Sequence, residues 1–258
     1  MTDVIAVIPA AGAGVRMEAE KNKAFLSLAG ESIIRRTVKA FLAVECISEI
    51  YIMVNPLESK EMHNHLSGLA NPYQTKIEVV PGGETRQDSV HLGLEHIANR
   101  RSDSSSIFQV SQNLYEQIKS LCQSGKKRTL CLVHDGARCL ISNQNIQDYI
   151  KELKKDFFGL GVAVPLNDTI RRIDQTGKVI ETPDRSSLRA MQTPQGSDFD
   201  ILLLAHRYVK ENNIQVTDDL AVLEAIQYPV KLFPGNFKNI KITHPEDIPI
   251  AEKLLKIE

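Results

Sequence analysis

Five apolar residues near the N-terminus, Val4-Ile5-Ala6-Val7-Ile8, run straight into Pro9-Ala10-Ala11-Gly12-Ala13-Gly14. This junction constrains the fold more than any other stretch. A short apolar run bounded by turn residues reads as a buried strand. The residues that follow carry almost no side chain, so their peptide N–H groups can approach a ligand closely and form a concave anion site. Arg16 then supplies a planar guanidinium fork, and Lys21 or Lys23 a point charge, for phosphate oxygens. The loop reads as one that holds a nucleoside triphosphate, but it follows neither common pattern. A P-loop needs Gly-Lys-Ser/Thr after its second glycine, whereas Val15-Arg16-Met17 follows Gly14. The dinucleotide fingerprint needs a small residue three positions beyond Gly14, and that position is Met17. A tight strand-to-helix turn with surface cations is the other reading these residues allow.

Strand-like and helix-like stretches then alternate. Ile33, Ile34, Val38, Phe41 and Leu42 recur at helical spacing, with Ser32 placed as N-cap. Residues 49–54 read as a second strand stopped by Asn55-Pro56, 57–69 as a helix, and 76–80 as a third strand closed by Pro81-Gly82-Gly83. Such alternation predicts parallel strands with helical crossovers, an α/β fold. In these sheets ligands sit beyond the carboxyl ends of the strands. The loop Gly82-Gly83-Glu84-Thr85-Arg86-Gln87-Asp88-Ser89 is therefore a ligand loop or an ordinary helix start capped by Thr85 or Asp88. The fourth strand, 129–138, ends in His134-Asp135-Gly136-Ala137-Arg138. Asp135 stands where a divalent cation or a ribose hydroxyl is held, or it caps and pairs with Arg138. His134 reads as a packed histidine, and His63-x-His65 lacks the partners of a metal site.

Residues 100–106 read as an exposed linker, and Ile107, Val110, Leu114, Ile118 and Leu121 as an inserted helix on the domain edge. A helix near 145–153 leads to a strand at 161–165. Alternation around Asp174-Gln175-Thr176-Gly177 predicts a β-hairpin arm that packs on a second subunit or on its own domain. Thr193-Pro194-Gln195 is read as ending a strand before a helix at 199–210, and Thr217-Asp218-Asp219 as opening another. Residues 230–233 and 238–242 are read as the last strands, before a closing helix from His244-Pro245-Glu246-Asp247 to about Leu255.

With 258 residues, 42% of them hydrophobic, the chain suits one large α/β domain with a packed core. A net charge of −1 argues against nucleic acid as a partner. No apolar run approaches the ~20 residues of a membrane span, and residues 4–8 are too few for a signal-peptide core. Cys46, Cys122, Cys131 and Cys139 are scattered, which points to reduced thiols and a cytoplasmic location.

The ordered set of motifs resembles the 2-C-methyl-D-erythritol 4-phosphate cytidylyltransferase family of the non-mevalonate isoprenoid pathway. It comprises Pro9-Ala10-Ala11-Gly12-x-Gly14-x-Arg16-Met17, Lys23, Gly82-Gly83-Glu84-x-Arg86-x-Asp88-Ser89, His134-Asp135-x-Ala137-Arg138, Asp168-Thr169, Asp184-Arg185, Thr193-Pro194-Gln195, Thr217-Asp218 and Asn239-Ile240-Lys241-Ile242-Thr243. The resemblance implies a single domain over 1–258 of the nucleotide-diphospho-sugar transferase type, mostly parallel in its sheet. It has an inserted helix at about 99–128 and a dimerisation β-arm at about 166–190. It implies CTP and 2-C-methyl-D-erythritol 4-phosphate as substrates, a homodimer, and a divalent cation, usually Mg2+, at Asp135. By motif, Arg16 and Lys23 match residues that stabilise the transition state. Arg185 and Lys241, counted with them as catalytic, match those that hold the methylerythritol phosphate. Thr169, Arg138, Thr193 and Thr217 fall on the same substrate's side. Ala10, Ala11, Gly12, Gly14, Gly83, Glu84, Ser89 and Asp135 fall on the nucleotide's side. Thr169 and Arg185 are expected to serve the partner's site. The family usually has Ala and Pro where this chain has Gly136 and Cys139, which predicts a looser loop, and Pro where this chain has Asn22. Two rivals share these features: a ribitol 5-phosphate cytidylyltransferase, and a CTP-binding sensor without turnover. The motifs Pro9-Ala10-Ala11-Gly12 and Arg171-Arg172 favour methylerythritol phosphate over ribitol phosphate.

Overall fold

A computed structural model describes residues 2–12, 22–101, 114–125 and 127–256. The strands in chain order are β1 (Asp3–Pro9), the short pair β2 (Ser27–Leu28) and β3 (Glu31–Ser32), β4 (Ile47–Val54), β5 (Lys76–Pro81), β6 (Thr129–Val133) and β7 (Gly159–Pro165). The arm pair β8 (Arg172–Ile173) and β9 (Val179–Glu181) follows, then β10 (Arg189–Asp198) and β11 (Val230–Pro234). The helices are α1 (Ile33–Leu42), α2 (Ser59–Leu66), α3 (Arg86–Arg101), α4 (Leu114–Gln123), α5 (Asn143–Leu153), α6 (Phe199–Glu211), α7 (Asp219–Ala225) and α8 (Asp247–Leu255).

Seven strands form one sheet in the order β11-β7-β10-β6-β1-β4-β5. The β1, β4, β5 and β6 pairings are parallel, as is β11 with β7, while β10 runs antiparallel to both β6 and β7. The apolar run in β1 is explained by helices on both faces. Val4, Ala6 and Ile8 pack with Ile34, Phe41 and Tyr149 on the α1/α5 side. Ile5 and Val7 pack with Val90, Leu94, Leu202 and Leu223 on the α3/α6/α7 side. A sheet covered twice needs apolar residues at successive positions rather than at alternate ones.

Several expectations change. Residues 57–69 begin as a 3-10 turn, Pro56–Glu58, before α2. Ser32 takes the N-cap position of α1, but its side chain makes no capping hydrogen bond. Arg100 and Arg101 belong to α3 rather than a linker, because Arg101 reaches back to pair with Asp3 and Glu49. The described part of the inserted helix, α4, lays Leu114, Ile118 and Leu121 against the α6 face and buries no residue fully. Residues 102–113 lie outside the described residues. Thr193-Pro194-Gln195 sits inside β10, which continues to Asp198. Residues 238–242 form no strand. There, the Ile242 N–H donates to Ala137 O (2.9 Å), and Asn239 O accepts from Arg138 (2.8 Å). Those peptide groups are spent on the loop after β6 instead of on a sheet neighbour.

Candidate active site

The loops after β1, β5 and β6 meet at one end of the sheet and enclose a cleft. Its floor is small residues: Ala10, Ala11 and Gly12 on one side, Gly83 on the other, Gly136 and Ala137 beyond. The glycines are required by contact. A Cβ on Gly82 would stand 2.6 Å from the Ala11 Cβ, and one on Gly83 2.5 Å from the Asp88 Cβ. Glu84, Thr85 and Ser89 complete that wall. Ser89 itself is buried and shapes its own loop. Its hydroxyl accepts from the Gly83 N–H (3.0 Å) and donates to Thr85 O (2.9 Å). Thr85 caps α3: its hydroxyl accepts from the Asp88 N–H at 3.0 Å and donates to the Asp88 carboxylate at 2.7 Å. Residues 82–89 thus form the helix start expected with Thr85 as its cap, and the same segment lines the cleft.

Three cations converge with Asp135. Lys23 and Lys241 line the cleft, as does Arg86. Asp135 Oδ1 accepts from Arg86 Nε at 2.8 Å, and its Oδ2 lies 2.8 Å from Lys241 Nζ. The Arg138 Nε is farther, at 3.6 Å from Oδ2, so the capping pair expected between Asp135 and Arg138 is the weaker contact. Burial pushes the Asp135 carboxyl up, but the charges of Arg86 and Lys241 outweigh it and hold the group well below the usual carboxylate range. Arg86 is itself shared. Its Nη2 lies 2.7 Å from Asp219 Oδ2, and the Asp219 side chain is 1% exposed. Sequence reasoning missed Asp219 and did not assign Arg86. The adjacent acids Asp218-Asp219 and the Arg86 of the glycine loop were the available signals.

The Asp135 loop is held from beneath. Its backbone N–H donates to the Thr193 hydroxyl (3.1 Å), that hydroxyl bonds His134 Nδ1 (3.0 Å), and His134 Nε2 bonds Arg138 O (3.1 Å). Nε2 therefore carries the proton, because a carbonyl only accepts. Burial holds the His134 imidazole down at about 4. Thr193, expected beside substrate, is buried beneath this loop instead. Arg138 is also structural in part, donating to Asn239 O (2.8 Å) and Met191 O (3.3 Å). The loop with Gly136 and Cys139 is not loose. Gly136 O accepts from Thr37 at 2.8 Å, Gly136 N–H donates to Pro9 O at 3.3 Å, and Cys139 is buried.

Other expected site residues lie elsewhere. Thr217 is exposed and lines a neighbouring groove with Gln215 and His206. Thr169 and Arg185 are exposed on the arm segment, where Arg185 donates to Asn167 O. Gly14, Arg16 and Lys21 lie outside the described residues. His65 stacks on Phe25, with ring centroids 4.9 Å apart, and His63 bonds Ser59 O at 2.7 Å. Among the described residues there is no cluster of three or more His, Cys, Asp or Glu side chains able to hold a metal. A single ionised carboxylate at Asp135 does suit a hard cation that takes its remaining ligands from phosphate oxygens and water.

Comparisons with known proteins identify the family. The chain is 36% identical over 256 residues to the 2-C-methyl-D-erythritol 4-phosphate cytidylyltransferase of Desulforamulus reducens, covering 99% of this chain and 97% of that one. It is 37% identical over 250 residues to the enzyme of the same name from Prochlorococcus marinus, covering 97% and 98%. The crystal structure of 4-diphosphocytidyl-2C-methyl-D-erythritol synthase from Anaerococcus prevotii superposes with a TM-score of 0.76 at 25% identity, covering 99% and 96%. The family described as IspD: 2-C-methyl-D-erythritol 4-phosphate cytidylyltransferase matches residues 4–105 and 109–257. On that match and those identities, the chain belongs to the 2-C-methyl-D-erythritol 4-phosphate cytidylyltransferase family.

Proposed function

We propose that this enzyme transfers the cytidylyl group of CTP to 2-C-methyl-D-erythritol 4-phosphate. The products are 4-diphosphocytidyl-2-C-methyl-D-erythritol and pyrophosphate, in isoprenoid precursor biosynthesis. The observation that carries the reading is the meeting of Lys23, Lys241 and Asp135 in one cleft floored by Ala10, Ala11, Gly12 and Gly83. A phosphate oxygen of the sugar alcohol attacks the α-phosphorus, and the bond from that phosphorus to the bridging oxygen of pyrophosphate breaks. A phosphate monoester has a second pKa of about 6, so the nucleophile is already ionised and needs no base. His134 would be an unsuitable one, since both its ring nitrogens are engaged.

The obstacle is repulsion between two polyanions, which fixed cations and alignment overcome. Lys23, with Arg16 assigned beside it from sequence, faces the charge growing at the α-phosphate. Lys241 receives the sugar phosphate. The Ala11 peptide is left to read the cytosine, because the Ala10 N–H donates to Met53 O and the Gly83 N–H to the Ser89 hydroxyl; Ala10 and Gly83 shape the wall beside it. Asp135 would hold a divalent cation, Mg2+ by preference, which neutralises charge on phosphate oxygens when bound. The arm leaves Ile173, Val179 and Ile180 exposed, which favours a second copy covering it as a homodimer. Arg185 and Thr169 then serve the partner's cleft. All four cysteines are free, which favours a cytoplasmic setting.

Pyrophosphate release with CTP and each of methylerythritol phosphate, ribitol 5-phosphate and no acceptor tests the reading. Release with methylerythritol phosphate is expected. Faster release with ribitol 5-phosphate would move the enzyme to that substrate, and CTP binding without release would make it a sensor.

A further inference from the structure

We infer that Asn22 is a positioning residue for Lys23, tied in turn to Glu58; the inference rests on the cytidylyltransferase reading of the cleft. Asn22 is 4% exposed at the edge of a charged cleft, a place where an amide side chain must be fully bonded to be tolerated. Its Nδ2 donates to Ala10 O at 2.8 Å and to Glu58 Oε2 at 2.7 Å, and its Oδ1 accepts from the Ala24 N–H at 3.0 Å. An amide has two N–H groups, and both are used. The three bonds reach three different segments: the small-residue loop after β1, the 3-10 turn after β4, and the 3-10 turn Lys23–Phe25.

Lys23 sits between Asn22 and Ala24, so its backbone is pinned on both sides. The turn is closed by Phe25 N–H to Asn22 O at 3.0 Å and Leu26 N–H to Lys23 O at 3.2 Å. A lysine carries its charge on a flexible four-carbon stem. The reach of its ammonium is therefore set by where its Cα is held. Capping alone would use only Oδ1, as Asn55 does for Leu57; the two donated bonds exceed that need. They also fix the distance between Lys23 and the Ala10 peptide, which line the same cleft. The backbone does not require asparagine: φ is −55° and ψ 125°, inside the range that a proline ring imposes.

The test is a double-mutant cycle on the full chain, reading kcat by pyrophosphate release and CTP affinity by calorimetry. Asn22→Ala should lower kcat by about 10- to 100-fold, the scale of a 1 Å misplacement. CTP affinity should fall by less than that. In a Lys23→Ala background the same change should cost nothing further, because residues acting as a unit are not additive. Asn22→Pro, which restores the backbone angle, should recover part of the lost kcat. An unchanged kcat in Asn22→Ala, or the same loss with and without Lys23, overturns the inference. Should Asn22→Ala fail to fold by thermal unfolding, Glu58→Ala takes its place in the cycle and Glu58→Gln, which keeps the acceptor, should retain activity. Equal behaviour of those two variants overturns the inference. Wild-type protein that releases no pyrophosphate with methylerythritol phosphate would overturn the parent reading instead, and this one with it.

Discussion

The Lys241 ammonium lies 2.8 Å from the Asp135 carboxylate, and the two residues reach each other from segments with no regular structure between them. The bond from Ile242 N–H to Ala137 O and the bonds from Asn239 Nδ2 to Thr193 O (3.0 Å) and from Arg138 to Asn239 O hold the Lys241 segment over the β6 loop. Lys241→Met should therefore raise KM for the sugar phosphate by about tenfold or more, the loss of a charged contact, with a smaller effect on CTP affinity. Steady-state kinetics with each substrate varied in turn will show it, and an unchanged KM removes Lys241 from that subsite.

Arg86 joins two acids, and one of them, Asp219, is sealed from water. For Asp219 too, burial raises the carboxyl while the Arg86 charge lowers it, and the charge prevails. Arg86→Met should destabilise the fold by about 3 kcal/mol, the cost of breaking a buried ion pair, which leaves Asp219, among the described residues, with only His206 Nε2 beside it, 3.4 Å from its Oδ1. The low end of that range applies because the Arg86 side chain is still 27% exposed. Adding Asp219→Asn should recover much of the loss. Urea unfolding of the three proteins gives the comparison, and equal stability of Arg86→Met and wild type would show that water reaches Asp219.

Acid should weaken the fold through His134. Its imidazole is held down at about 4 by burial, so the unfolded chain takes up the proton first. The contribution is complete above pH ~6.5, the unfolded value, and is lost as the pH falls toward 4. It amounts to about 3 kcal/mol. His134→Gln should flatten unfolding free energy against pH across that window. An undiminished slope in the variant would assign the acid sensitivity to other groups.

The arm gives a test that needs two kinds of chain. Lys23→Ala and Arg185→Ala proteins should each be nearly inactive when assayed alone. Mixed and allowed to exchange subunits, they should recover up to about a quarter of wild-type activity per site if Arg185 completes the partner's cleft, from random assortment of a two-fold assembly. Activity that stays at the level of the parents would place Arg185 in its own chain's site.

The site was most legible where chemistry and backbone demand coincide. Ala10, Ala11, Gly12, Gly83, Lys23, Asp135 and Lys241 were all picked out in the sequence, and all line one cleft. Small residues after a strand have a local signature, and so does an acid at a strand's end. The strands themselves were readable because a doubly covered sheet makes unbroken apolar runs. What failed was long-range. Whether Thr193 faces substrate or the underside of the Asp135 loop depends on β10 running antiparallel beside β6, and no local pattern records that pairing. The same holds for Asp219, whose importance appears only when Arg86 from α3 is placed against it. Residues 238–242 have strand-like composition, yet their hydrogen bonds go to side chains and loops.

The glycines of the β5 loop carry a consequence for how this protein can change. At Gly82 and Gly83 an added methyl group would collide with Ala11 or Asp88, so the opening between the β1 and β5 loops exists only while both positions stay bare. Neutral drift toward larger residues, tolerated over most of a protein surface, is closed off there. Any reshaping of that opening from these two positions would have to move the peptide frame itself, because neither Gly82 nor Gly83 carries a side chain to be exchanged.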